Sequence, residues 1–154
     1  MVSDRSAYDA TYQHAGEECS STNEGRYVSI YEDLLSHPWH DDDDDLIEKG
    51  DPCMAFPNLV GIAMKTAEST EEVITIDTEG IWWLNVEAGK AWGDVYVGQM
   101  LYIDASSAAI TDDYEQIPFG LSLGHVDEGN TTLIAVKVHA FQWGLWWWWM
   151  FPPK

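Results

Sequence analysis

Between Gly50 and Val86 the chain is divided into short apolar runs, each closed by Gly, Pro, Asn or Asp. They read Gly50-Asp51-Pro52-Cys53-Met54, Leu59-Val60-Gly61-Ile62-Ala63-Met64, Val73-Ile74-Thr75-Ile76-Asp77 and Gly80-Ile81-Trp82-Trp83-Leu84-Asn85-Val86. None is long enough for an ordinary helix, and β-branched residues recur in them. Each therefore predicts a short strand joined to the next by a tight turn. This rhythm points to an all-β fold.

A weaker copy of the same order follows. Gly98-Gln99-Met100-Leu101-Tyr102-Ile103 resembles Gly50 to Ala55, Phe119 to Leu123 resembles Val60 to Met64, and Leu133 to Val136 stands where Val73 to Ile76 stood. Two copies are too few for a solenoid. They suit a small closed barrel or sandwich of short antiparallel strands, in which each half covers the other's apolar face. Pro52 fits the start of a strand, where a missing N–H is tolerated. Gly61 inside a strand marks a bulge or a close backbone approach. Thr78-Glu79-Gly80 reads as the turn of a hairpin.

Charge narrows the function classes. The 154 residues carry 27 Asp plus Glu against 7 Lys plus Arg, a formal net charge of −20. A phosphate backbone and an anionic membrane surface would both be repelled, so neither nucleic acid nor membrane is an expected partner. A basic partner or a solvated surface is compatible. No stretch of about 20 apolar residues offers a spanning helix. The N-terminus, Met1-Val2-Ser3-Asp4-Arg5, lacks the basic start and apolar run of a secretion signal, so folding in a cytoplasm is expected. Cys19 and Cys53 are the two cysteines, and they make neither a disulfide framework nor a C-x-x-C metal pair. Reduced thiols are the ordinary expectation; a Cys19–Cys53 bridge tying an arm to the core is the alternative.

Three regions follow. Residues 1–45 form an N-terminal arm with one strand, Arg26 to Tyr31, and an acidic loop, Asp41 to Asp45. His37, His40 and the aspartates are metal-ligand types, but contiguous aspartates cannot all face one ion, and the spaced ligands and bend glycine of a Ca²⁺ loop are absent. Residues 46–140 form the β-domain. Residues 141–154 form a tail holding Trp143, Trp146, Trp147, Trp148, Trp149 and Phe151. That much indole must pack on its own domain, a neighbouring copy, a partner or a lipid interface, because burying one large aromatic is worth about 2–3 kcal/mol. Within the domain, Trp82 and Trp83 alternate across a strand, so one indole enters the core and the other faces outward. Trp92 lies in the following loop. With Trp82, Trp83 and Phe151, these tryptophans are the candidate partner or oligomer contacts.

Catalytic patterns are lacking. There is no G-x-S-x-G elbow, P-loop or G-x-G-x-x-G, and the adjacent carboxylates Glu71-Glu72 and Asp112-Asp113 point apart on any strand. His125 sits beside a turn and His139 ends a strand; either could act as a base, but a surface or satisfied histidine is the ordinary reading of both. No catalytic residue, cofactor or metal is expected. Binding or assembly is the expected role, and a module stacking sugars on Trp82, Trp83 or Trp92 is the rival to an assembly protein.

The ordered motifs Gly50-Asp51-Pro52, Leu59 to Ala63, Glu71-Glu72-Val73, Thr78-Glu79-Gly80-Ile81, Gly93-Asp94, Gly98 to Asp104, Ile117 to Leu123 and Leu133 to Val138 resemble the small capsid cement, or decoration, proteins of tailed phages. The resemblance covers about Glu48 to Val138. It implies a small β-barrel-like domain without enzymatic activity, sitting on the outer surface of an icosahedral head. The implied partner is the major capsid protein, with the cement acting as a homo-oligomer, a trimer above all, to hold capsomer joints against the pressure of packaged DNA. The arm at 1–45 and the tail at 141–154 lie outside the shared motifs. Reaching across to adjacent subunits is their expected role.

Overall fold

A computed structural model describes residue 15 and residues 25–41, 44–91 and 93–139. Residues 1–14 and 16–24 of the predicted arm, Trp92 and the Trp-rich tail lie outside the described residues. The described chain is all-β, with strands β1 (Tyr27–Tyr31), β2 (Pro52–Ala55), β3 (Leu59–Ala63), β4 (Val73–Asp77), β5 (Ile81–Glu87), β6 (Met100–Ile103), β7 (Ile110–Thr111), β8 (Ile117–Ser122) and β9 (Thr131–Val138). A single 3-10 turn, Glu32–Leu34, follows β1. The strands make two units. One is a curled four-stranded sheet in the order β1-β4-β3-β2, and the other is a closed barrel in the order β5-β7-β6-β8-β9.

The two units are copies of one design. Pro52 faces Ile62 and Cys53 faces Gly61 across β2–β3; Met100 faces Leu121 and Leu101 faces Gly120 across β6–β8. Ile62 faces Asp77 and Ala63 faces Ile76; in the second unit Leu121 faces Lys137 and Ser122 faces Val136. Tyr27 pairs with Asp77 on the far side of β4, as Ile81 pairs with Lys137 on β9. The loop bonds repeat as well. Gly50 N–H donates to Ala63 O at 2.8 Å and Gly98 N–H to Ser122 O at 2.7 Å, and the two glycines share a left-handed φ of 93° and 88°. Met64 N–H reaches Thr75 O and Leu123 N–H reaches Ala135 O, both at 2.9 Å. A slip of one residue would have turned every side chain to the opposite face, so agreement through four strands identifies a structural repeat rather than a shared rhythm.

Burial follows from the repeat. Leu35, Ile47, Cys53, Ala63, Ile74 and Ile76 fill the first unit. Val86, Leu101, Ile103, Ile110, Phe119 and Val136 fill the barrel, and Met54, Val60 and Ile62 join that second cluster. Cys53 and Met54 are neighbours on β2 yet belong to different cores, so β2–β3 is covered on both faces. That is why Leu59–Ala63 is continuously apolar instead of alternating. Each such side chain contributes roughly 1.5–3 kcal/mol on leaving water. Gly61 is the close approach expected of it. A Cβ there would stand 2.8 Å from the carbonyl oxygen of Asp77, and the matching Gly120 lies closer still to that of Lys137.

One local expectation fails. Thr78-Glu79-Gly80 does not close a hairpin, because β4 already has β1 on one edge and β3 on the other. No edge is left for β5, so the turn carries the chain across to the barrel. There β5 pairs antiparallel with β9 and parallel with β7.

Candidate docking surfaces

The crossover between the units is clipped by Asp77. Its carboxylate is buried and accepts hydrogen bonds from Arg26 Nε at 2.9 Å, Arg26 Nη2 at 2.8 Å, Glu79 N–H at 3.1 Å, Gly80 N–H at 3.0 Å and Trp82 Nε1 at 3.0 Å. Burial pushes this carboxyl upward, but the guanidinium and the converging N–H groups outweigh it and hold its pKa at about 2, against an ordinary 3.8. Arg26 also lies 5.2 Å from the centre of the Tyr27 ring. The guanidinium thus spans the Tyr27–Asp77 pair at one end of the β1–β4 face.

The equivalent face of the second unit is bare. Gly80 stands where Arg26 stood, and Lys137 where Asp77 stood. Along β5, Ile81 is 63% exposed and Trp83 71%; on and beside β9, Leu133 is 57% and Leu123 42% exposed. Ile81 pairs with Lys137, Trp83 with Ala135 and Asn85 with Leu133, so these side chains share one side of the β5–β9 ladder. Trp82, one residue along, turns inward, packs on the barrel core and gives its indole N–H to Asp77.

Other polar groups are engaged in holding loops. The buried Asp112 carboxylate accepts Lys90 N–H at 2.8 Å and Gly89 N–H at 3.2 Å, fixing the loop after β5. Buried Glu32 accepts Ile47 N–H at 3.2 Å and lies 3.2 Å from His37 Nε2. Among the described residues two groups combine ligand types: His37, His40 and Asp51, and Asp94, His125 and Asp127. In the first, His40 Nε2 is 2.6 Å from Asp51; in the second, His125 Nε2 is 2.8 Å from Asp127. Cys53 is a free thiol, and burial drives its pKa upward, away from the reactive range.

Of the contact residues predicted from sequence, the fold separates Trp82, half-buried, from Trp83, exposed. Trp92, Trp143, Trp146, Trp147, Trp148, Trp149 and Phe151 lie outside the described residues. The exposed apolar side chains of Ile81, Leu123 and Leu133 are not among the residues singled out from sequence. The signal for Ile81 was present in its i, i+2 relation to Trp83; Leu133 needed the β5–β9 register, which joins residues about 50 apart.

A model of the phage cement protein family matches residues 43–138, well over half of the chain. No curated protein and no solved structure matches it. The match spans β2 through β9, the strands that carry most of the repeat and the whole barrel. The chain belongs to the phage cement protein family, and its role is that of a structural protein of the virion.

Proposed function

We propose that the protein binds the outer surface of the major capsid protein shell and stabilises the head across joints between capsomers. The family match carries this reading. The physical support is an all-β double unit, a chain of net charge −20 and an outward indole at Trp83. Binding would come from buried area concentrated in aromatic anchors, with charge complementarity to basic shell residues at the rim. The residues before β1 and the tail at 141–154 extend the grip to neighbouring subunits, and a homo-oligomer, a trimer above all, multiplies it.

The direct experiment adds the purified chain to heads that lack it. Saturable binding at a fixed copy number, with a higher temperature of head disruption, is the expected result. Absence of binding, or binding without stabilisation, contradicts the reading. A chain ending at Ala140 should keep a folded core and bind heads more weakly; full occupancy by it would remove the tail from the mechanism. The exposed indole of Trp83 also favours a second reading, a surface that stacks sugars, which binding to a glycan panel would support.

A further inference from the structure

We infer that the β5–β9 face, centred on Trp83, is the surface that seats against the shell, and that its counterpart on the first unit is not. The inference rests on the capsid-binding reading above. The repeat makes the two faces comparable position by position. Tyr27, Ser29, Val73, Thr75 and Asp77 stand on the first; Ile81, Trp83, Leu133, Ala135 and Lys137 stand on the second. One backbone plan thus supports both sets. On the first face the Arg26 guanidinium reaches the Tyr27 ring and the Asp77 carboxylate, while Tyr27, Ser29 and Thr75 are half-buried. On the second, Gly80 replaces the arginine and leaves Ile81, Trp83, Leu133 and Leu123 in water.

Charge selects the occupant. Glu79 and Glu87 flank β5 at its two ends. Lys137 is turned aside, its ammonium donating to the carbonyl oxygens of Glu79 and Val138. The patch is therefore apolar at its centre and acidic at its ends. A second copy would bring the same acidic ends and another −20 of charge. A partner offering an apolar hollow for an indole, bordered by Lys or Arg, satisfies both parts. On the capsid reading that partner is the shell.

The test compares Trp83→Glu and Leu133→Glu with Val73→Glu, the first-unit counterpart of Leu133, in binding to heads that lack this chain. Circular dichroism confirms folding of each, and sedimentation of the free proteins reports self-association. Trp83→Glu should weaken binding by about 30-fold or more, as expected for a central aromatic anchor, while Val73→Glu binds like the parent. If the parent binds and Trp83→Glu binds equally well, this inference falls and the capsid reading stands. If the parent does not bind heads, the capsid reading falls and takes the inference with it. A Trp83→Glu variant that merely dissociates a free oligomer, with head binding per subunit unchanged, assigns the face to a second copy and overturns the inference. Should the glutamate variants not fold, Trp83→Ser, which removes the indole without adding charge, gives the same reading.

Discussion

The first unit and the second differ in how they finish a common plan. Both run their strands in the same order, in one register as far as the bulge between Leu101 and Tyr102 on β6, and both place glycine where a strand crosses tightly over a neighbouring carbonyl. The second inserts β7 between β5 and β6 and closes a barrel; the first returns only through an isolated bridge from Ser36 to Met54. The first has an arginine across the end of its β1–β4 face, and the second leaves the matching face apolar and open. A duplicated unit can keep one copy for scaffolding while the other changes its outer face, because strand alternation separates core positions from surface positions.

Three experiments break or sharpen this comparison. The largest effect is expected at the paired glycines. Gly120→Ala should cost on the order of 3 kcal/mol and Gly61→Ala about 1–2 kcal/mol, because a Cβ at Gly120 meets the backbone of β9 more closely than one at Gly61 meets β4. Urea unfolding of the two variants checks it, and equal costs would mean that the barrel yields as readily as the open sheet.

An effect smaller than that at Gly120 is expected where the units join. Asp77→Ala strands Arg26, the Trp82 indole and two backbone N–H groups, at a cost of about 2–3 kcal/mol. The pH dependence carries a sign. A carboxyl held at about 2 instead of 3.8 stabilises the fold fully above the higher value, and this contribution fades as the pH falls toward the lower one. Its size is about 1–2 kcal/mol after allowance for the half-exposed arginine. Thermal melts between pH 5 and pH 2, taken as about the range over which such a carboxyl titrates, should fall less steeply for Asp77→Ala than for the parent. Parallel curves would show that Asp77 is not the group responsible.

The smallest effect is expected on the open face. Trp83→Ser should change stability by no more than about 0.5 kcal/mol, since the indole is exposed and its counterpart is already serine. A large loss would mean that Trp83 supports the barrel, and the contrast between the faces would lose its functional meaning.

Much of this was legible in the chain. Short apolar runs with Gly and Pro punctuation specified the strands, and the loose likeness of Gly50–Ala55 to Gly98–Ile103 marked the repeat. Trp82 and Trp83 divided between core and surface as alternation requires. What stayed hidden depended on partners distant in sequence. The β1–β5 equivalence is invisible because Tyr27-Val28-Ser29 and Ile81-Trp82-Trp83 share little chemistry and agree only through their pairing with β4 and β9. The turn at Thr78–Gly80 read as a hairpin because local residues specify a turn but not whether the preceding strand has a free edge. The role of Asp77 needed Arg26, 51 positions away.

The central claim is that this chain sits on the head through the second unit's open face. Cryo-electron microscopy of heads decorated with it tests that most directly. The account predicts density on the outer shell at joints between capsomers, with β5 and β9 toward the capsid and Trp83 in a pocket bordered by basic side chains. Density with the β5–β9 face turned to solvent, or found only on a tail or fibre, would contradict it.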